Sequence, residues 1–282
     1  MRNILVATDF SNDAYCALFY ATQLFTSREC TFYILNVFDE LTPLEGKKSK
    51  LLGHKKLLAQ LQIASNEKLT RTFHKIVLDN ENDKHQFQTF SKKGNLVNIL
   101  KKAIDDYNIN LVVMGSKGNT GAKEIFLGSN TIQAANVIEK CPILAVPKQI
   151  DYKALKEIAF ITDFKKGCAK EALEPLLFLT SLSGASVRVM HITEEEILNK
   201  EQESRRKLLQ LCLKDVDHSF HWVQEYADKA IVIDSFLKKY NIDMFAMIHH
   251  KRSFFERLVR EPVVKDITMY TDIPLLILPH RN

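Results

Sequence analysis

The sequence predicts an α/β chain folded as two tandem, doubly wound domains, residues 1–147 and 156–282, and three observations predict it. The first is repetition. ILVATDF (4–10) returns as IAFITDF (158–164), YNINLVVM (107–114) as YNIDMFAM (240–247), and CPILAVP (141–147) as IPLLILP (273–279). Self-similarity at this distance marks a duplicated unit. The second is rhythm: within each copy short apolar runs alternate with segments of helical period, as in strand–helix–strand units of a parallel sheet. The third is material. The chain has 282 residues, 46% hydrophobic and 26% charged, enough for two ordinary cores and a charged surface. Both copies end in a strand closed by proline, Pro147 and Pro279, so PKQIDYKALK (147–156) reads as the linker.

In the first copy the strands are expected at 3–8, 31–38, 85–90, 110–115 and 142–146. Most are apolar on both faces, as buried parallel strands are, whereas 85–90 alternates and suits an edge. Helices are expected near 12–27, 50–73, 95–106 and 128–139. The third opens at Asn95, a good N-cap, and lines up Leu96, Val97, Ile99, Leu100, Ala103 and Ile104 as one apolar stripe. The stretch KKSKLLGHKKLLAQLQ (47–62) is basic and amphipathic. A membrane-surface helix is one reading; the favoured one lets its leucines cover the sheet while its lysines face water. The second copy repeats the order with strands near 157–162, 186–192, 219–225, 243–248 and 274–278. Its segment 194–214 is the matching helix, with acids toward its start and bases toward its end as the helix dipole prefers.

Charge and cysteine content exclude several classes. The net charge is only +5, too weak for a nucleic-acid face, and all of it falls in residues 1–150, which carry 19 basic and 14 acidic side chains. Five cysteines (16, 30, 141, 168 and 212) are an odd number without a CxxC pair, which argues against a disulfide framework or a cysteine zinc site. No secretory leader follows Met1, and no apolar run reaches the ~18 residues of a membrane span. A cytoplasmic protein in a reducing compartment is expected, without nucleic-acid or membrane partners. His249-His250, with His191, invites a metal reading, but adjacent histidines on extended backbone point apart, so a polar loop is favoured. Neither GxSxG nor HExxH occurs, so no hydrolytic motif is visible.

Ligands of doubly wound sheets sit outside the carboxyl ends of the strands, where the strand order reverses. In the first copy those ends are Thr8-Asp9-Phe10-Ser11 and Met114-Gly115-Ser116-Lys117-Gly118. GSKGNTGAKEIFLGSNT (115–131) holds four of the nine glycines of the chain and runs into a helix start at Gly128-Ser129. Such a segment lets backbone amides approach an anion closely, with the helix N-terminus facing it; phosphate is the expected occupant. Lys117 and Lys123 add charge or simply face solvent. The Walker pattern fails because Gly121 is followed by Ala122, Lys123 and Glu124, and no GxGxxG follows the first strand. Asp9 has two readings at this point, a partner for a ribose hydroxyl or a cap for the helix starting near residue 12.

The spacing Gly115-x2-Gly118-x9-Gly128-Ser129 after a fourth strand, with the opening ILVATDFS and a second strand ending LNVFD (35–39), resembles the universal stress protein family in its tandem two-domain form. The resemblance implies, for each domain, a Rossmann-like (adenine nucleotide alpha hydrolase-like) fold, a five-stranded parallel sheet of order 3-2-1-4-5 flanked by helices. It further implies ATP as ligand, with or without Mg2+. Thr8 and Asp9 then match the end of strand one that holds the nucleoside. Val37, on a strand edge, matches the residue whose backbone faces adenine. Met114, Gly115, Gly118, Gly128 and Ser129 match the phosphate segment, with Lys117 and Asn130 beside it. Lys117 stands where His or Arg is common, and Gly121 is an extra glycine. The second copy departs further: MIHHKRSFFERLVREP (247–262) has no glycine, nor has any residue after Gly184. Ile248, His249, Arg260 and Glu261 replace the small residues, and Asp163 reads as a helix cap.

The expectation is a nucleotide-binding stress-response regulator rather than an efficient enzyme, with Asp9 and Glu124 as the only carboxylates to nominate for slow hydrolysis. Its partners would be an adenine nucleotide in the first domain, the second domain as an intramolecular partner, a further homodimer, and an unidentified regulatory protein. The alternative is a nucleotide-free protein-interaction scaffold.

Overall fold

The structure, a computed structural model, describes residues 2–39, 54–116, 127–148, 150–165, 167, 169–193, 198–224, 229–249 and 273–279. In the first half β1 (Arg2–Ala7), α1 (Asn12–Leu24), β2 (Cys30–Phe38), α2 (His54–Asn80), β3 (His85–Lys93), α3 (Leu96–Asp106), β4 (Leu111–Gly115), α4 (Ser129–Val137) and β5 (Ile143–Val146) follow in order. The second half repeats them as β6 (Glu157–Thr162), α5 (Lys170–Ser183), β7 (Ser186–Thr193), α6 (Lys200–Cys212), β8 (His218–Gln224), α7 (Lys229–Lys239), β9 (Met244–Ile248) and β10 (Leu275–Leu278).

The strand order is β3-β2-β1-β4-β5-β10-β9-β6-β7-β8. Each half therefore has the order 3-2-1-4-5, parallel throughout, with the first and fourth strands flanking its reversal point. The predicted fold class holds. What the sequence reading lacked is the junction: β10 pairs β5 antiparallel, Leu276 opposite Leu144 and Ile277 opposite Ile143, so the halves share one ten-stranded sheet.

Alternation along the strands divides the core between two faces. Ile4 and Val6 join α1, α2, α5 and α6 in one buried cluster that runs through both halves, while Leu5 and Ala7 join residues of α3, α4 and α7 in the other. On the first face Phe25 after α1 stacks on Phe178 of α5 at 6.3 Å between ring centroids, and the Arg28 guanidinium lies 5.9 Å from the Phe178 ring. The linker belongs to this packing. Leu155 is buried, and Tyr152 sets its ring at 5.4 Å, edge-on, against the buried Tyr20.

Boundaries differ from expectation chiefly in the second helix, which runs to Asn80 rather than 73. Its buried positions Leu61, Ser65, Leu69 and Ile76 keep one face on the sheet to the end, so packing carries the helix on. Of the leucines expected to cover the sheet, Leu61 is buried and Leu57 and Leu58 half-buried, while 51 and 52 lie outside the described residues. The shorter second half loses most of its length here: α2 has 27 residues and α6 has 13. Strand β3 is the expected edge, extended to Lys93.

Leu276 is fully buried in the shared cluster, and Leu276→Ala should remove about 2–5 kcal/mol of unfolding free energy. Denaturant unfolding read by circular dichroism and by Trp222 fluorescence should give one coincident transition shifted as a whole. Two separated transitions, only the later one moved, would mean that the halves unfold independently.

Candidate functional site

The crevice of the first half is built by the carboxyl ends of β1 and β4, neighbours in register from Ile4↔Leu111 to Val6↔Val113. At the end of β1 a chain of local hydrogen bonds folds the turn. Thr8, buried, donates its N–H to the Leu35 carbonyl at 2.9 Å, and its Oγ1 accepts from Phe10 N at 3.0 Å. Asp9, exposed, accepts at Oδ1 from Ser11 N at 3.0 Å and from the Ser11 hydroxyl. The same Ser11 Oγ accepts from Ala14 N at 3.1 Å and is the N-cap of α1. Asp9 is thus not the cap, contrary to one of its two readings; it holds the cap. Phe10 takes the left-handed φ of 65° that this reversal demands.

Val37 lies near the end of β2, an interior strand, so the expected sheet edge is corrected to a strand end. Its peptide nevertheless faces the crevice. Peptide groups two apart in a strand point the same way, and Leu35 turns its carbonyl to Thr8 on the β1 side, whereas Phe38 turns its carbonyl to Gly94 on the β3 side. Val37 therefore directs its N–H and C=O to the β1 side, beyond the last residue of β1.

On the other wall, Met114 is buried and Gly115 closes β4 opposite Val146. Gly128 N donates to the Ser116 carbonyl, and Thr131 Oγ1 donates to the Gly115 carbonyl at 3.2 Å, which brings the first turn of α4 back over the end of β4. Gly128 is the N-cap of α4 and brings no capping side chain, while Ser129 and Asn130 are exposed in its first turn. The positive end of that helix dipole lies beside the crevice. Lys117 and Gly118 lie outside the described residues, as do Gly121, Lys123 and Glu124. The structure brings together Thr8, Asp9, Val37, Met114, Gly115, Gly128, Ser129 and Asn130 around the carboxyl ends of β1, β2 and β4.

This arrangement has known relatives. Residues 1–147 match the model of the universal stress protein family. The chain belongs to that family. A universal stress protein of Methanocaldococcus jannaschii is 30% identical over 161 residues, 52% of this chain and 96% of the relative. Over its whole length the fold is similar to the crystal structure of a universal stress protein from Archaeoglobus fulgidus, with a TM-score of 0.71, 16% identity, and 99% of this chain and 96% of that one covered. A putative universal stress protein of Pseudomonas aeruginosa gives a TM-score of 0.58 at 11% identity, covering 99% of this chain and 94% of that one.

The second half of this universal stress protein keeps the turn and changes its surroundings. Phe164 N donates to Thr162 Oγ1 at 3.1 Å, Lys165 N to Asp163 Oδ1 at 2.9 Å, and Phe164 has φ 51°. The cap of α5 is Ala169, without a side-chain bond, so Asp163 is not the helix cap that the sequence predicts. Ile248 stands where the first half has Gly115: Ile248 pairs Leu278 as Gly115 pairs Val146, and His249 N reaches the Leu278 carbonyl as Ser116 N reaches that of Val146. Arg260 and Glu261 lie outside the described residues, as does His250. Among the described residues no cluster of metal-binding side chains occurs. No helix among them is long and apolar enough to cross a membrane.

Sequence reasoning missed Asn36, Ser65 and Ser91, which form a hydrogen-bonded row behind the turn, the first two buried and Ser91 half-buried. The available signal was a lone Asn within the apolar run YILNVF (33–38).

Burial lowers the pKa of His191, against the pull of its bond to the Thr162 carbonyl, and also that of His85, against its bond to the Phe25 carbonyl. With folded values below the unfolded value of about 6.5, the unfolded chain binds protons that the folded one refuses, so stability rises with pH and is complete above about 6.5. Urea midpoints should therefore be lower at pH 5.5 than at pH 7.5, and His191→Asn should shrink the difference. Equal midpoints in the native protein would contradict the assignment.

Proposed function

We propose that the first half binds ATP and that the chain acts as a nucleotide-responsive stress-response regulator, its second half a structural partner without nucleotide. The supporting observation is the crevice itself, where an exposed acid (Asp9), an outward-facing strand peptide (Val37) and a helix N-terminus capped by glycine (Gly128) share the reversal point of the sheet. The residues present fit the ligand. Val37 offers backbone for an adenine edge, Asp9 a carboxylate for a ribose hydroxyl, and the first turn of α4 beyond Gly128 the amides of Ser129 and Asn130 for phosphate oxygens, with Lys117 and Gly118 continuing the motif in sequence. Bound Mg2+ would neutralise phosphate charge. In the second half, Ile248 in place of Gly115 puts a branched side chain at the phosphate end.

Titration calorimetry of the full chain should give one ATP per chain, in preference to GTP. Gly128 has φ −60° and ψ 150°, which any residue adopts, so Gly128→Val should leave the fold intact. Its branched side chain should cost at least about tenfold in affinity, ~1.4 kcal/mol. An intact variant that binds ATP as before would remove the phosphate assignment. No heat with any nucleotide would favour the scaffold reading, and two equal sites per chain would defeat the division between halves.

Turnover should be slow. Efficient phosphoryl transfer runs at ~1–100 s⁻¹ in kinases through positioned charges and a base, and the sequence offers no motif for that set. Hydrolysis at such a rate, abolished by Asp9→Asn, would make the protein an enzyme.

A further inference from the structure

Behind the turn that carries Asp9 lies a polar row, with Asn36 and Ser65 buried and Ser91 half-buried. Asn36 Nδ2 donates to the Thr8 carbonyl at 2.7 Å. Asn36 Oδ1 accepts from Ser65 Oγ of α2 at 2.8 Å, and Ser65 Oγ accepts from Ser91 Oγ of β3 at 2.6 Å. A carbonyl only accepts, so the amide nitrogen must face Thr8, and the Ser65 hydroxyl, able to donate or accept, donates to the amide oxygen that is left. The row crosses β1, β2 and β3 in register, Asn36 opposite Ser91. Thr8 thereby has both ends of its backbone held by β2, its N–H by Leu35 and its carbonyl by Asn36.

The second half reaches the same result by other chemistry. His191 occupies the position of Asn36, one residue beyond the partner of the strand-one residue Ile161, and Trp222 lies opposite it as Ser91 lies opposite Asn36. His191 Nδ1 donates to the Thr162 carbonyl at 3.0 Å. In place of the serine hydroxyls, rings hold the donor: Phe164 at 4.8 Å and Trp222 at 5.7 Å from the imidazole. Two unrelated side chains, each buried, donate to the carbonyl of the same turn threonine. A packing role would be met by any apolar residue of similar size, whereas a donor in both copies points to the bond.

We propose that Asn36 is a positioning residue of the nucleotide crevice: by pinning the Thr8 carbonyl, with its own amide oriented by Ser65 and Ser91, it sets the Thr8–Ser11 turn and so the place of Asp9. This rests on the ATP reading for its binding consequence, and on the structure alone for its effect on the turn. Two variants separate the donor from the volume. Asn36→Asp keeps an acceptor for Ser65 but sets a carboxylate oxygen against the Thr8 carbonyl. Asn36→His restores a ring donor of the kind the second half uses.

The test reads amide hydrogen exchange at Phe10 and Ser11 by NMR without nucleotide, and ATP affinity by calorimetry, both on the full chain. Asn36→Asp should speed exchange at these two amides by about tenfold or more while leaving the slowest core amides unchanged. It should weaken ATP by a similar factor, and Asn36→His should recover most of both. Should Asn36→Asp fail to fold, Ser65→Ala, which releases the amide without adding charge, should shift both readouts the same way to a smaller degree. Native exchange and affinity in Asn36→Asp, or in Ser65→Ala where that is the variant that folds, would overturn the proposal. So would an Asn36→His variant as impaired as Asn36→Asp. If exchange responds as expected but the native chain takes up no ATP, the ATP reading fails and the positioning of the turn stands.

Discussion

The antiparallel pairing of β5 with β10 is the constraint from which the arrangement of both crevices follows. Each of these strands is buried along its whole length, and either would be an apolar edge if the halves parted. Joining them antiparallel reverses strand direction at the midline, since every other pairing in the sheet is parallel. The carboxyl ends of β1–β5 and of β6–β10 therefore lie at opposite ends of the sheet. Two crevices so placed cannot grip one ligand between them. Communication between the halves has to pass through shared packing such as the Phe25–Phe178 stack and the linker residues Tyr152 and Leu155.

Within that frame the same turn is built twice and then surrounded differently. Thr8–Phe10 and Thr162–Phe164 share the threonine bond, the aspartate bond and the left-handed phenylalanine. Non-glycine residues take positive φ at some cost, so the turn persists only because neighbours over-determine it. In the first half those neighbours are Asn36 on one side and the capping Ser11 on the other, and helix α1 begins at once. In the second, Gln202 and Arg205 of α6 bind the carbonyls of Asp163 and Phe164, and α5 begins only at Lys170. Side chains of α6 thus occupy backbone groups of the turn itself.

The fold was legible because duplication and the alternation of buried strands with amphipathic helices are written in apolar spacing, which packing obeys. The ends of elements were less so. Helix α2 runs past residue 73 because Ile76 finds the sheet, a tertiary contact that no local pattern announces. Asp9 and Asp163 could be read as caps because aspartate is good at that task; the structure gives the cap to Ser11 in one half and to no side chain in the other. The β5–β10 pairing is a relation between segments over a hundred residues apart, and CPILAVP and IPLLILP show only that both are buried. Of the site, the glycines and Asp9 were readable as a spaced motif, whereas Asn36, Ser65 and Ser91 come from three elements and meet only in the folded chain.

That polar row explains why the first half tolerates hydroxyls and an amide where leucine would bury more apolar surface. A buried polar group is costly alone and acceptable only when every partner is present, so the row commits α2, β2 and β3 to one mutual register. Sliding β3 by one residue would turn Ser91 to the opposite face and leave Ser65 without its donor. The second half secures the corresponding row by ring contacts, with Trp222 opposite His191 and edge-on to it, and rings tolerate small displacements that a 2.6 Å hydrogen bond does not. The tighter construction is found in the half whose turn ends in the exposed Asp9 beside a glycine-capped helix. On the ATP reading proposed above, placement to within a hydrogen-bond length would matter there, because a carboxylate selects a ligand hydroxyl only when its own position is already fixed.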